Sequence, residues 1–173
     1  MFSDLGALSP LDGRYYSSAK ELNAYFSEAA LMQYRIYVEV EYLLALAKQK
    51  EIRKRLLIDD KEQSKLRKLY QSFDLNAAKE IKEIEKKINH DVKAVEYYIQ
   101  DKTRSSLHPW IHFALTSEDV NNISYSLMWK HALEKVYLPS ALSLQRKLLD
   151  LIREHRKSPM LSLTHGQPAT PTT

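Results

Sequence analysis

The sequence predicts an all-α fold: an N-terminal helical domain over residues 1–109, followed by the first long helix of a helical-bundle domain over residues 110–173. Two observations point to helices. Turn punctuation is scarce, with 3 Gly and 6 Pro in 173 residues, most of them near the two ends. Apolar residues recur at spacings of three and four over long stretches. A third observation supports a folded chain: 44% of the residues are hydrophobic, enough for a sizeable core.

Residues 1–18 read as irregular, with turn signals at Ser9-Pro10 and Asp12-Gly13. From about Glu21 to Lys50 the pattern is helical. Leu31, Tyr34, Val38, Tyr42 and Leu46 draw one apolar face, and Val40, Leu43 and Leu44 widen it, so burial on more than one side is expected. Arg53 to Asp60 is a break. Leu66, Leu69, Tyr70 and Phe73 predict a second helix, and Ile81, Ile84 and Ile88 a third. Between those isoleucines Lys and Glu alternate from Lys79 to Lys87. Lys79–Glu83 and Glu83–Lys87 stand four apart, as a solvated, ion-paired helix face requires. Asn89 is an N-cap candidate for the next helix, which carries Val92, Val95 and Ile99, and Asp91 suits its positive first turn.

Ser105 to Pro109 is a second break and the expected domain boundary. A short helix is expected over residues 110–115. Thr116-Ser117-Glu118-Asp119 reads as a helix start, hydroxyls first and acids next. The apolar stripe that follows runs from Val120 to Ile152. Pro139 lies inside it, so a kink or restart is expected there. A stripe this long needs partner helices, from the same protein or from other subunits. Residues 159–163 read as extended. The chain then stops just after Thr164-His165-Gly166-Gln167-Pro168-Ala169-Thr170-Pro171, a segment too dense in special residues for a natural end.

Composition removes several classes of function. With no cysteine there is no disulfide, thiolate nucleophile or cysteine-ligated metal. No apolar run approaches the ~20 residues that cross a bilayer, and the N-terminus lacks a signal-peptide pattern. The reading is a soluble intracellular chain with no membrane partner. The net charge of +4 is mild and suits small anionic ligands or a nucleic acid, but the interleaved lysines and glutamates favour a solvated helix face over a nucleic-acid stripe.

Four places are candidates for chemistry. His90, at a helix start, is placed either for anion binding or acid–base work, or as a surface histidine beside a capping Asn89. Thr116-Ser117 is either an anion cradle or an ordinary N-cap. His165, in a Gly- and Pro-constrained loop, is either a general acid or base or a loop residue without a partner. Arg14-Tyr15, after the Asp12-Gly13 turn, offers a guanidinium to phosphate or carboxylate, or is a surface Arg beside a packed Tyr. The remaining histidines, at 108, 112, 131 and 155, share no ligand spacing, and no metal site is expected.

Four strings carry a family resemblance: Ser9-Pro10-Leu11-Asp12-Gly13-Arg14-Tyr15, Asn89-His90-Asp91-Val92-Lys93-Ala94-Val95-Glu96-Tyr97, His112-Phe113-Ala114-Leu115-Thr116-Ser117-Glu118-Asp119-Val120-Asn121-Asn122, and residues 164–171 quoted above. In order and separation they resemble the N-terminal part of the adenylosuccinate lyase family, in its bacterial form, within the fumarase/aspartase superfamily. The resemblance covers essentially the whole chain. It implies a cytoplasmic homotetramer that eliminates fumarate from adenylosuccinate to leave AMP, and from succinylated aminoimidazole carboxamide ribotide (SAICAR) to leave AICAR. It implies His165 as the general acid, with Arg14, Tyr15, Asn89, His90, Asp91, Thr116 and Ser117 binding substrate, and no metal or organic cofactor. It also implies that the general base sits on a loop beyond residue 173, so that this chain alone is inactive. The alternative is a non-catalytic helical module on the same scaffold that binds a protein or a nucleic acid.

Overall fold

The computed structural model describes residues 6–173, and the expectation of irregular chain over residues 1–5 lies outside them. The chain forms two compact units, one ending at Ala132 and the other spanning Leu133–Thr173.

The first unit opens with the expected turns. Asp12 N–H donates to Ser9 O at 3.0 Å and Tyr16 N–H to Gly13 O at 2.9 Å. Short helices α1 (Tyr16–Ala19) and α2 (Asn23–Phe26) follow, then the long α3 (Glu28–Lys48). The predicted Glu21 start falls seven residues early. Ser27 takes extended backbone and its Oγ accepts from Ala30 N–H at 3.1 Å, which fixes the start of α3 there. Asp59 caps α4 (Asp60–Gln71) and Asp74 caps α5 (Leu75–Ile88) in the same way. After α6 (Asp91–Asp101) comes a 3-10 turn over Ser105–Trp110, and then α7 (Ser117–Ala132).

Helix α3 is the hub, packed against α4, α6 and α7. Its buried apolar residues include Met32, Ile36, Val38, Val40, Leu43 and Leu44, whereas Leu31, Tyr34, Tyr42 and Leu46 are only half-buried. The face expected to lead is therefore the shoulder, because neighbours cover α3 from two sides. Leu66 of α4, Ile81 of α5 and Val95 and Ile99 of α6 complete this core, with Leu107 and Ile111 from the segment after α6. Each such side chain contributes about 1.5–3 kcal/mol by leaving water. The break at residues 105–109 thus folds into the core of the first unit.

Along α5 the charges pair at three residues rather than four, Lys82 with Glu85 and Lys86 with Glu83, and Lys82 also reaches Glu28 of α3 at 2.8 Å. The short helix expected over 110–115 is absent. Phe113 lies between His112 and Ala114, both of which have left-handed backbone (φ +59° and +58°), so the segment is a run of turns.

The second unit begins with a π-helical turn, Leu133–Tyr137, and continues as α8 (Leu138–His155). The wide turn answers Pro139, which brings no N–H and whose ring would crowd the carbonyl four residues back. Ser140 Oγ donates to Val136 O at 2.8 Å beside it. No residue of α8 is buried, and Leu142, Leu144, Leu148 and Ile152 stay in water. Strands β1 (Met160–Thr164) and β2 (Gln167–Thr172) then pair antiparallel with Thr164 opposite Gln167. Residues expected only to be extended thus find a partner. A bulge between Leu161 and Leu163 breaks the register, and Ser162 Oγ takes up the irregularity by accepting from Thr170 N–H at 3.1 Å.

Candidate functional site

The site residues of the first unit gather where helices begin. Asn89 does not cap α6. It ends α5 in left-handed conformation (φ +52°), its N–H donating to Glu85 O at 2.7 Å. The N-cap of α6 is His90, whose Nδ1 accepts from Lys93 N–H at 3.1 Å. The correction has a chemical consequence. A neutral imidazole that accepts at Nδ1 carries its proton on Nε2, so His90 keeps one donor available beyond the cap.

Asp91 follows in the first turn of α6, and Arg35 Nη2 donates to its Oδ2 at 2.7 Å. Burial alone raises this carboxyl. The hydrogen bond from Arg35 and one from the Val92 N–H outweigh it and hold Asp91 below the ordinary aspartate range. The same guanidinium reaches α7, where Nε donates to Asn121 Oδ1 at 3.0 Å. Asn121 lies one helical turn beyond Ser117, so Arg35 ties the His90–Asp91 start of α6 to the Thr116–Ser117 start of α7.

At that second start the two hydroxyls differ. Thr116 donates to Asp119 Oδ2 twice, from N–H at 2.7 Å and from Oγ1 at 2.8 Å. These two bonds hold Asp119 below its usual range. Ser117 Oγ has no hydrogen-bond partner among the described residues, which leaves it as the free hydroxyl of the pair.

The turns before Thr116 are held from α3. Glu39 accepts from His112 twice, from the backbone N–H at 3.1 Å and from Nδ1 at 2.5 Å, and Tyr42 OH donates to Phe113 O at 2.9 Å. Glu96 Oε1 lies 3.6 Å from His112 Nε2, and its other oxygen accepts from Lys93 Nζ at 2.7 Å. Glu39 and Glu96 are 2% and 4% exposed. Burial pushes Glu39 above the ordinary glutamate range, with the bonds from His112 pulling the other way.

Arg14 and Tyr15 lie on the exposed turn before α1, the guanidinium 5.3 Å from the centre of the Tyr15 ring. No hydrogen bond or ion pair joins them to residues 89–91 or 116–117 among the described residues. His165 belongs to the second unit. With Gly166 it forms the two-residue turn of the hairpin, both at positive φ (+50° and +74°), the pattern of a type I′ turn, and its ring is exposed.

Sequence reasoning missed Arg35, Glu39, Glu96, Asn121 and the role of His112. One signal was available: Arg35 and Glu39 stand four apart inside an apolar helix, where an unpaired charge is costly. His108 and His131 are also engaged, with Thr103 O at 3.3 Å and Tyr34 OH at 2.8 Å. Among the described residues no group of three His, Asp or Glu side chains is arranged to hold a metal. An open surface pocket of about 640 Å³ lies between Asp59, Lys65, Lys68 and Arg104, and none of the site residues named above lines it.

Comparison with known proteins adds the following. The model of a family described as lyase matches residues 13–173. The adenylosuccinate lyase of Legionella pneumophila (strain Philadelphia 1) is 45% identical over 174 residues, covering 98% of this chain and 38% of the relative. That of Dictyostelium discoideum is 42% identical, covering 99% and 38%, and that of Escherichia coli K12 is 43% identical, covering 99% and 39%. The chain thus spans under two-fifths of the length of these relatives. The crystal structure of beta-carboxy-cis,cis-muconate cycloisomerase from Acinetobacter calcoaceticus sp. ADP1 is similar with a TM-score of 0.63 and 18% identity, covering 88% of this chain and 35% of that one. That likeness is one of fold.

Proposed function

This chain belongs to the lyase family, and from that premise we propose that the whole protein carrying it eliminates fumarate from adenylosuccinate and from SAICAR. The observation that carries the proposal is the 40–45% identity to adenylosuccinate lyases along 98–99% of the chain. No helix among the described residues is long and apolar enough to cross a membrane. The working protein is a cytoplasmic homotetramer needing no cofactor. In it residues 1–109 form the N-terminal domain and residues 110–173 open the central helical bundle, with Ile111 and α7 packed against the N-terminal helices.

The reaction removes a proton next to a carboxylate and breaks a C–N bond. His165 is the general acid that protonates the departing nitrogen. An imidazole titrates near neutral pH and is suited to that transfer. The two-residue turn beneath it restricts where the ring can go. Substrate carries phosphate and carboxylates. The free Ser117 hydroxyl, the Nε2–H of His90 and the guanidinium of Arg14 are donors that meet such charges. Donors fixed before the reaction stabilise the charge that grows on the carboxylate in the carbanion-like transition state. Tyr15, Asn89, Asp91 and Thr116 are the further substrate contacts that the family resemblance implies. The base comes from a segment outside this chain.

The test follows fumarate release from adenylosuccinate by the whole protein. Turnover is expected, and its absence in a folded, oligomeric preparation overturns the proposal. His165→Ala should lose turnover by about 10²–10⁴ while still binding substrate in calorimetry. The 173-residue chain alone should give negligible release, and turnover at ordinary enzyme rates from it would place the base within these residues.

A further inference from the structure

We infer that Arg35 is a positioning residue for the site proposed above, its guanidinium fixing the start of α6 relative to the start of α7. The inference rests on that functional reading and goes beyond it, to a residue that acts through the side chains it holds.

Arg35 sits mid-way along α3 and is 4% exposed, between Tyr34 and the fully buried Ile36. A guanidinium is expensive to bury, and its carboxylate partner Asp91 stays half-exposed, where an ion pair adds little stability. Core stability alone is therefore a poor reason for this arginine. Its partners suggest a better one. Nη2 donates to Asp91, the residue after the His90 cap, and Nε donates to Asn121, one turn beyond Ser117. Asn121 is held on its other side as well, since its Nδ2 donates to Glu118 Oε1 at 2.9 Å. An arginine can only donate and a carboxylate can only accept, so these two partners fix which way the Asn121 amide faces. An unbroken line then runs Asp91–Arg35–Asn121–Glu118, from the first turn of one helix to the first turn of the other.

The fork geometry is what the task needs. Nε and Nη2 are parts of one rigid plane, so the distance between Asp91 and Asn121 is set by the guanidinium. A lysine would keep the charge and the tie to Asp91, but its single ammonium on a flexible stem cannot hold both partners at the same spacing. The consequence for catalysis is geometric. A displacement of about 1 Å between substrate-holding groups can cost a hundredfold in rate.

The experiment has two arms. In the whole protein, Arg35→Lys should lower kcat/KM between about ten- and a hundredfold, with kcat measured at saturating substrate and scaled to the folded fraction. Asn121→Ala should cost less. In the double variant Arg35→Lys should cost under half, on a logarithmic scale, of what it costs alone, because the link is already cut. Additive losses in kcat/KM, or an Arg35→Lys protein with wild-type kinetics, would overturn the inference. The second arm uses amide NMR spectra of the 173-residue chain and needs no activity. Arg35→Lys should shift the amides of residues 90–93 and also those of residues 116–121. A shift confined to one group breaks the link whatever the enzyme does. Absence of fumarate release from the wild-type whole protein refutes the functional reading instead, and with it any positioning role, while the spectra still decide whether the two helix starts are joined.

Discussion

Glu39→Ala removes the acceptor for two donors of one residue, and the structure sets the size of the effect. The Glu39 carboxylate receives the His112 backbone N–H at 3.1 Å and Nδ1 at 2.5 Å from a position 2% exposed. Truncation leaves that N–H unpaired at about 1–3 kcal/mol and opens space in the core for a similar amount again. Against this stands the desolvation that the wild-type carboxyl already bears, visible in its raised pKa. The net expectation is a loss of about 2–4 kcal/mol. Glu39→Gln should be far milder, about 1 kcal/mol. Its carbonyl accepts the backbone N–H, and its amide donates to Nδ1 once the ring carries its proton on Nε2, the nitrogen that faces Glu96 at 3.6 Å. The pH dependence has a definite sign. A carboxyl raised on folding adds stability that is complete below the unfolded value of about 4.3, and that fades as pH climbs through the folded value. Glutamine does not titrate, so the penalty of Glu39→Gln should be largest near pH 4 and shrink towards neutrality. Guanidinium unfolding followed by helical circular dichroism at several pH values measures both variants. Equal destabilisation by Ala and Gln, or an Ala variant within 0.5 kcal/mol (about the scatter of a neutral substitution) of wild type, would refute the clamp.

Other substitutions test further parts of the structure. Ser124 lies fully buried in α7 with its Oγ unpaired among the described residues, so Ser124→Ala should raise stability by about 1 kcal/mol, and a loss in thermal unfolding would show that the hydroxyl has a partner. Asn89→Gly should leave stability unchanged, because glycine enters the left-handed region freely, whereas Asn89→Val should cost about 1–2 kcal/mol. Equal stability of the two would contradict the φ of +52°. The carboxyl of Asp91 is depressed by Arg35, so its contribution is present above the unfolded value of about 3.9 and is lost as pH falls through the folded value. Asp91→Asn should therefore unfold with a shallower acid limb, and an unchanged limb would exclude the ion pair.

Much of the helical layout was legible because local chemistry decides it. Hydroxyls followed by acids at Thr116–Asp119 mark a helix start in any context, and a proline at 139 forces some accommodation. Some of the failures come from contacts distant in sequence, others from local choices that more than one residue could make. Residues 110–115 carry acceptable helix formers, but Glu39, 73 positions away, claims the His112 N–H and turns the backbone left-handed. Asn89 suits either end of a helix. His90 settles the matter, since a ring nitrogen that can cap α6 frees Asn89 to close α5. Pro168 and Pro171 argue against a strand, yet β2 tolerates both because a two-stranded ribbon leaves one side of each strand unpaired. Of the candidate site, the residues bearing donors could be named from sequence. The buried Arg35 and Glu39 were signalled only as charges four apart inside an apolar helix, and their partners, 56 to 86 positions away, could not be read from α3.

The tip of the hairpin sets two demands against each other. An imidazole side chain occupies a mirror-image turn at position 165, where asparagine or glycine would sit with less strain. Under random mutagenesis, variants sorted only for resistance to proteolysis should drift towards Asn-Gly at residues 165–166. On the acid role proposed for His165, variants of the whole protein sorted for fumarate release should keep the histidine and accumulate their gains elsewhere. The divergence of the two populations at this single codon would measure the conformational cost of a histidine at a left-handed position.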